Sequence, residues 1–223
     1  MCGRFVNSLT LEQLIELFRI HDRPNLEPTW NAAPTQALPI IRRGKSGEPR
    51  LTSIRWGLVP HWSKTGPESG KPLINARSES AHEKPTFRKA LERRRALIPA
   101  NGFYEWDQNA PKKTPYYITR TDGEPMVFAG LWERWGQGAD KVDSFAILTT
   151  EANDDIAHLH HRCPVMIEKD AFETWLNPAN DPQPFLKGMK NGSLSALEVS
   201  SRVNKVREND AHLTDPETDN RLI

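Results

Sequence analysis

An amphipathic helix is the first element that the hydrophobic pattern predicts. Apolar residues recur with the period of one helix face, at Leu11, Leu14, Ile15, Leu17 and Phe18. Thr10 and Gln13 have the spacing of a capping box, in which each side chain satisfies a free backbone N–H at the helix start. Because Pro24 ends the segment soon afterwards, the pattern predicts a helix over Leu11–Ile20.

Strand-like runs fill much of the remaining chain. They are short, rich in Ile, Val, Phe, Tyr and Trp, and bounded by Pro, Gly or Asp. Eighteen prolines, about 8% of the chain against the usual ~5%, divide it into such pieces. The predicted strands are Ala37–Ile41, Leu51–Trp56, Arg95–Ile98, Tyr116–Thr119, Met126–Leu131, Ser144–Thr150 and Val165–Ile167.

The order of these elements indicates an α+β fold. The dipeptide Asp122-Gly123 predicts a hairpin turn between the fourth and fifth strands. Further helices are predicted near Phe87–Arg94, Asp154–Leu159 and Ala171–Leu176. Because the alternating βα rhythm of a parallel sheet is missing, we expect a mostly antiparallel sheet core with helices packed around it. We expect one domain over residues 1–223, with residues 1–206 as its core and residues 207–223 as an acidic C-terminal tail.

Composition and charge narrow the class of protein. The chain has 223 residues and a formal net charge of +1, from 30 basic and 29 acidic side chains. This balance argues against a protein that coats nucleic acid by bulk electrostatics, although residues 77–95 carry seven Lys and Arg against three Glu. No run approaches the ~18 apolar residues of a membrane helix. Two cysteines and no signal peptide favour a reducing, cytoplasmic location, near the nucleoid in a prokaryote.

Cys2 carries the most specific chemistry in the sequence. Removal of Met1 places its thiol and a free α-amine on adjacent carbons. The reference pKa of an α-amine, about 7.7–8.0, leaves part of it neutral and nucleophilic at pH 7. Such a 1,2-aminothiol condenses with an aldehyde to a five-membered thiazolidine, which no internal cysteine can form. A buried cysteine that only fills space is the competing interpretation of this residue taken alone.

Three further places hold groups that chemistry could use: Asn75-Ala76-Arg77, Glu105-Trp106 and a histidine cluster that ends at Cys163. Glu105, set between two aromatic residues, suits general acid or base work. The cluster His158, His160, His161 and Cys163 has a spacing that matches no zinc pattern, so a catalytic histidine is favoured and no metal is expected. Tryptophans beside arginines are typical of a surface that binds single-stranded nucleic acid, where the bases stack on the indole rings and the phosphates contact the guanidinium groups.

Seven short motifs occur in a fixed order along the chain, and together they resemble the SOS response-associated peptidase (SRAP) family. They are Met-Cys-Gly-Arg-Phe at 1–5, Asn-Ala-Ala-Pro-Thr at 31–35, Trp-Gly-Leu-Val-Pro-His-Trp at 56–62, Asn-Ala-Arg-Ser-Glu at 75–79, Gly-Phe-Tyr-Glu-Trp at 102–106, His-His-Arg-Cys-Pro at 160–164 and Val-Ser-Ser-Arg-Val-Asn at 199–204. The resemblance implies a partly barrel-like fold and a protein that processes abasic sites in single-stranded DNA.

The resemblance also implies the site residues. Family members remove their own Met1 and capture the aldehyde of an abasic site as a thiazolidine crosslink, a self-processing peptidase and lyase-type chemistry that needs no cofactor. The implied catalytic residues are Cys2, Asn75, Glu105 and His160. The implied DNA-binding residues are Arg4, Asn31, Trp62, Arg77, Trp106, Arg162, Ser200 and Asn204. We expect a monomer with no membrane partner.

Three positions depart from the family pattern. Cys163 replaces a Met, Lys205 follows Asn204 where a second Asn is common, and Trp30 stands where Tyr is usual. None of them is one of the four implied catalytic residues, so the departures concern details of the implied DNA-binding surface rather than the reaction.

Two other functional classes remain open at this point. Glutamine amidotransferases with an N-terminal nucleophile also begin Met-Cys-Gly, and Asn101-Gly102 mimics their oxyanion dipeptide. Those chains continue into an apolar strand and carry a synthase domain, for which 223 residues leave no room. A non-catalytic module that recognises modified DNA is the other alternative, and it predicts that Cys2→Ala leaves function intact.

Overall fold

The predicted first helix is present in the computed structural model, which describes residues 2–68, 70–108, 110 and 113–217. Helix α1 spans Leu11–Phe18 and begins at the predicted capping box: the Gln13 N–H donates to the Thr10 hydroxyl, and the Thr10 N–H donates to the Gln13 side chain. The helix ends two residues earlier than predicted because Arg19 adopts a left-handed conformation with φ of 53°. Its apolar side packs Leu14 and Phe18 into the core.

Twelve strands lie within the described part of the chain. In chain order β1 to β12 are Arg4–Asn7, Thr29–Ala32, Ala37–Arg43, Pro49–Trp56, Asn75–Arg77, Arg95–Ala100, Gly102–Trp106, Pro115–Arg120, Met126–Trp135, Val142–Glu151, Arg162–Pro164 and Leu194–Glu198. The other α-helices, α2 to α4, are Ser78–Ala81, Arg88–Arg93 and Phe172–Leu176. Short 3₁₀ turns include Gly66–Glu68, Ser201–Asn204 and Ala211–Thr214.

The strands form two sheets, one of which closes on itself. The smaller sheet has the order β12-β8-β7-β1-β2. In the larger sheet β10 pairs with both β4 and β9, so β4, β3, β6, β9 and β10 make a closed ring of five strands. Nearly all pairings are antiparallel, and the parallel ones join β10 to β4 and then to β5. The α+β, partly barrel-like fold expected from the sequence is confirmed.

Aromatic packing joins the two sheets. The ring of Phe5 on β1 meets Trp56 and Phe128 edge-on, at centroid distances of 5.1 and 5.9 Å. Trp56 stacks in turn on Phe145, and Phe103 meets Phe128. Such pairs add to the free energy gained from burial alone. Because this cluster also contains Cys2, the start of the chain is anchored in the core.

Three predicted elements differ from the structure. Val165–Ile167 is not a strand: β11 lies three residues earlier, and this run makes a single β-bridge through Met166 and backbone hydrogen bonds to neighbouring strands. Asp122-Gly123 is not a hairpin turn, because β8 and β9 belong to different sheets. Asp154–Leu159 forms consecutive turns rather than an α-helix. No helix in the described ranges is long and apolar enough to cross a membrane.

Candidate active site

Cys2 lies two residues before the start of β1, and its side chain is fully buried. Its backbone carbonyl accepts a hydrogen bond of 2.9 Å from Nδ2 of Asn75. Asn75 is the first residue of β5, which runs parallel to β10 with Asn75 opposite Ile147. The parallel pairing therefore fixes the amide of Asn75 against the backbone of Cys2.

Glu105 lies on β7, the strand next to β1. Arg4 pairs with Tyr104 in this ladder, so the two strands bring Glu105 to the same region as Cys2. The Glu105 side chain is buried, with 3% of its surface exposed. Burial raises the pKa of the Cys2 thiol, and the Glu105 carboxylate raises that pKa further. The thiol is consequently protonated at neutral pH.

His160 follows the turns after β10 and precedes β11. The backbone N–H of Arg162 donates to His160 Nδ1 at 2.9 Å, so in the neutral ring the proton resides on Nε2. Burial lowers the pKa of His160, whereas Glu105 acts in the opposite direction. The structure thus brings together the four residues that the sequence predicted as catalytic.

Arg162 is predicted to contact DNA, and the structure places its guanidinium inside the protein. Nη1 and Nη2 each donate to the Glu79 carboxylate at 2.8 Å, and Nη2 also donates to the Thr149 carbonyl. This ion pair ties α2 to the strand that follows His160. Sequence reasoning missed the role of Glu79; its place in the motif Asn-Ala-Arg-Ser-Glu was the available signal.

Arg4 and Asn31 are also engaged within the protein. Arg4 donates to Asn31 at 2.7 Å and to the Val203 carbonyl at 2.8 Å. Asn31 is buried, and its Nδ2 donates to the carbonyls of Val203, Lys205 and Glu208. These side chains hold the C-terminal segment, defined here as residues 199–217, against β1 and β2. Their predicted contact with DNA stays a prediction.

Two more predicted DNA-binding residues lie on the C-terminal segment. Ser200 caps the turn Ser201–Asn204, with its hydroxyl accepting from the Arg202 N–H. The Asn204 side chain accepts a hydrogen bond of 2.8 Å from the indole N–H of Trp106 on β7. Trp106 is therefore held by the C-terminal segment at the end of the strand that carries Glu105.

Trp62 and Arg77 present their side chains to solvent. Trp62 is 57% exposed and borders a cavity of about 430 Å³ that also contains Arg55, Lys64 and Lys71. Arg77 borders a second cavity, of about 330 Å³, together with Glu151, His161 and Arg162. Both residues have the exposure that contact with a DNA strand requires, and Trp62 also has basic neighbours.

Cys163 and the histidine cluster provide no metal site in the described ranges, where no group of three or more His, Cys, Asp or Glu is placed to hold an ion. Cys163 is buried with its thiol directed to the Glu151 carbonyl, and burial raises its pKa to about 11. Its role in this structure is packing.

Comparison with known proteins agrees with this architecture. Residues 1–206 match the family model described as SOS response associated peptidase (SRAP). The chain is 37% identical to the abasic site processing protein YoaM of Bacillus subtilis, with 97% of this chain and 99% of YoaM covered. It is 28% identical to the abasic site processing protein YedK of Escherichia coli, covering 97% and 100% of the two chains. A crystal structure of a Bacteroides thetaiotaomicron protein superposes with a TM-score of 0.82 at 23% identity, covering 96% and 100%.

This chain belongs to the SRAP family. The family model spans most of its length, and the identity to YoaM extends over nearly all of both proteins.

Proposed function

We propose that this protein processes abasic sites in single-stranded DNA by forming a covalent thiazolidine with the aldehyde of the lesion. The observation that carries the proposal is the hydrogen bond between Asn75 and the Cys2 backbone, beside the buried Glu105 carboxylate and His160. A site that fixes the second residue of the chain so specifically suits a reaction of that residue's own amine and thiol.

The proposed reaction begins with cleavage of the Met1–Cys2 bond, which frees the α-amine. The amine attacks the aldehyde carbon C1′, and the resulting carbinolamine loses water to give an imine. The Cys2 sulfur then adds to the imine carbon and its proton passes to nitrogen, closing the ring. Hydrolysis of the Met1–Cys2 bond consumes one water, condensation of the amine with the aldehyde releases one, and no oxidant or cofactor is consumed.

Each neighbouring side chain has a role in this scheme. Glu105 orients the amine and accepts its proton as the imine forms. His160, with its proton on Nε2, exchanges a proton with the ribose O4′ as the sugar ring opens and during release of the crosslink. Asn75 holds the Cys2 backbone and polarises the sugar oxygen by hydrogen bonding. The DNA contacts are proposed for Arg4, Trp62, Arg77, Trp106, Ser200 and Asn204. Asn31 and Arg162, whose side chains are buried, are proposed to support that surface from within the protein.

A denaturing gel tests the proposal. The protein is mixed with single-stranded DNA that carries one abasic site, and a heat-resistant shifted band is expected. Cys2→Ala and Cys2→Ser should abolish the band, whereas Cys163→Ala, the matched control at the second cysteine, should retain it. Absence of a covalent band from protein whose mass shows loss of Met1 would contradict the proposal.

The same experiment separates the competing functions. Glutaminase activity without a crosslink would favour an amidotransferase, and binding to modified DNA that survives Cys2→Ala would favour a non-catalytic module. Self-cleavage is tested by the mass of Glu105→Ala, which keeps the Met1–Cys2 bond but lacks the proposed proton acceptor, and Met1 should persist in it. Loss of Met1 from that variant would assign the cleavage to an aminopeptidase instead. We also propose that the protein acts as a monomer in the cytoplasm.

A further inference from the structure

His161 lies next to the proposed proton-transferring residue and has been given no role so far. Its ring stacks on that of His160, with centroids 4.4 Å apart and planes inclined by 20°. His160 is half-buried, whereas His161 is exposed and borders the cavity that contains Arg77. One face of the His160 ring is therefore covered by a side chain that itself meets solvent.

The backbone around this pair is fixed on both sides. The His160 N–H donates to the Ile156 carbonyl at 3.2 Å, and the His161 carbonyl accepts from the Ala152 N–H at 3.1 Å. These contacts fix the backbone, and the hydrogen bond from the Arg162 N–H to Nδ1 restrains the His160 ring at one edge. The stacked ring of His161 restrains the same imidazole on one face.

We infer that His161 is a positioning residue for His160: its ring covers one face of the His160 imidazole and holds that imidazole in one orientation beside Glu105. The consequence for reaction rate rests on the proposed function, in which His160 exchanges a proton with the sugar. A proton-transferring group must lie within hydrogen-bond reach of its partner, so a freely rotating ring transfers protons less often.

Neighbouring charged groups also affect the pKa of His160. Besides burial, the groups that act on the pKa of His160 are Glu105 on β7, the amino terminus, the neighbouring ring of His161 and the backbone N–H of Arg162. Burial lowers the pKa of His160, and protonated His161 lowers it as well. Removal of the covering ring admits water, which favours the charged imidazolium, and removes a neighbouring positive charge. Both effects raise the pKa of His160.

Titration of the His160 ring by NMR tests the inference directly, through the Cε1–H signal across pH 5 to 9 in about unit steps. In His161→Ala the His160 midpoint should move to higher pH. In His161→Phe, which keeps a stacked ring without the charge, most of the wild-type midpoint should be retained. His21→Ala, a change at an exposed histidine outside the site, should leave the His160 signal unchanged.

The crosslinking rate gives a second measurement. His161→Ala should slow crosslinking on the order of ten-fold, less than the ~10²-fold to ~10⁴-fold expected from loss of a proton-transferring group itself. His161→Phe should restore most of the rate. An unchanged His160 midpoint in His161→Ala, or a His161→Phe midpoint displaced as far as that of His161→Ala, would overturn the inference. The titration needs no DNA, so failure of crosslinking in the wild-type protein would count against the proposed function alone.

Discussion

At the scale of single residues, Cys2 combines full burial with a proposed covalent role. Its thiol has a raised pKa from burial and from Glu105, so thiolate is scarce at neutral pH. A free α-amine has a reference pKa near 8 and is partly neutral under the same conditions. In the proposed reaction the amine therefore attacks first, and the sulfur adds only after an electrophilic imine has formed beside it. Burial of the thiol suits this order because it suppresses unwanted thiolate chemistry.

Replacement of Asn75 tests the polar contact on which the site is built. Asn75→Ala removes the donor to the Cys2 carbonyl, and we expect the crosslinking rate to fall by about 10²-fold, as for loss of one oriented donor in other sites. Single-turnover gels measure the rate, and circular dichroism checks that the fold is kept. Gln137→Ala, which removes an exposed amide, is the control. Equal rates for Asn75→Ala and the control would argue against this role.

At the scale of elements, the loop between β4 and β5 determines where Trp62 is presented. The Val59 N–H donates to the buried Ser144 hydroxyl at 2.8 Å, and the Trp135 indole N–H donates to the Ser63 carbonyl at 2.7 Å. His61 contacts the buried carboxylate of Glu133 at 3.2 Å. These contacts fix the base of the loop on β9 and β10 while its tryptophan stays exposed.

Gly66 permits the close approach of this loop to β9. It has a φ of 65°, and a Cβ at this position would lie 2.6 Å from the Trp135 ring. We expect Gly66→Ala to displace the loop, lower the free energy of unfolding by about 1 to 3 kcal/mol and weaken binding to single-stranded DNA. Gly70→Ala is the matched control, since its φ is 72° and no atom lies within 4 Å. Urea denaturation measures the free energy of unfolding, and fluorescence anisotropy measures binding to single-stranded DNA. Equal losses in Gly66→Ala and Gly70→Ala would mean that backbone strain alone, and not the contact with Trp135, explains the result.

Asp143 joins three strands of the closed ring. It lies on β10 and accepts hydrogen bonds from Arg134 on β9 at 2.7 and 2.8 Å and from Arg42 on β3 at 3.0 Å. The guanidinium of Arg134, followed by that of Arg42, lowers the pKa of Asp143 below its usual value. The carboxylate therefore contributes stability above its unfolded-state pKa of about 3.9, and that stability is lost as pH falls through the lower folded-state pKa.

Asp143→Asn tests this contribution. At pH 7 we expect the free energy of unfolding to fall by about 1 to 2 kcal/mol, because two charged donors lose their acceptor charge. The difference from wild type should shrink as pH is lowered below about 4, where the carboxylate of the unfolded chain takes up a proton, and should vanish once the native carboxylate is protonated at lower pH. Urea denaturation at several pH values measures it, with the exposed Asp140→Asn as control. A difference that stays constant with pH would refute the electrostatic explanation.

Local signals explain which elements could be predicted from the sequence. The capping box of α1 and the apolar strands β3, β4, β6, β9 and β10 depend on neighbouring residues, and they appear where predicted. Asp122-Gly123 misleads because both edges of β8 are occupied, one by the preceding strand β7 and the other by β12 from far along the chain, so β8 does not pair with β9. The same limit applies to Arg162, whose partner Glu79 lies 83 positions away. An arginine in this motif suggests a contact with a DNA phosphate, whereas in the folded protein the Arg162 guanidinium binds the carboxylate of Glu79.

At the scale of the whole molecule, the C-terminal segment packs over β1 and β2, the first two strands of the chain. The Asn209 side chain accepts from the backbone N–H of Trp30, and Asn31 binds three carbonyls of the segment. Arg202 pairs with Glu208 and Asp210, so part of the acidity expected of residues 207–223 is neutralised by a neighbouring arginine. As far as Glu217, the segment packs against the strands that precede it.

Replacement of Leu213 tests how much the packing of the C-terminal segment stabilises the protein. Leu213 is fully buried in a cluster with Val6, Tyr104, Val199 and Val203, so it links the C-terminal segment to β1 and β7. Leu213→Ala should lower the free energy of unfolding by about 2 to 5 kcal/mol, since it removes buried methyl groups and leaves a cavity. Val206→Ala, at a 47% exposed position in the same segment, should have a much smaller effect. Since β7 also carries Glu105, we expect the crosslinking rate of Leu213→Ala to fall at temperatures below its unfolding transition. A variant as stable as Val206→Ala would mean that the segment rests on the domain without stabilising it.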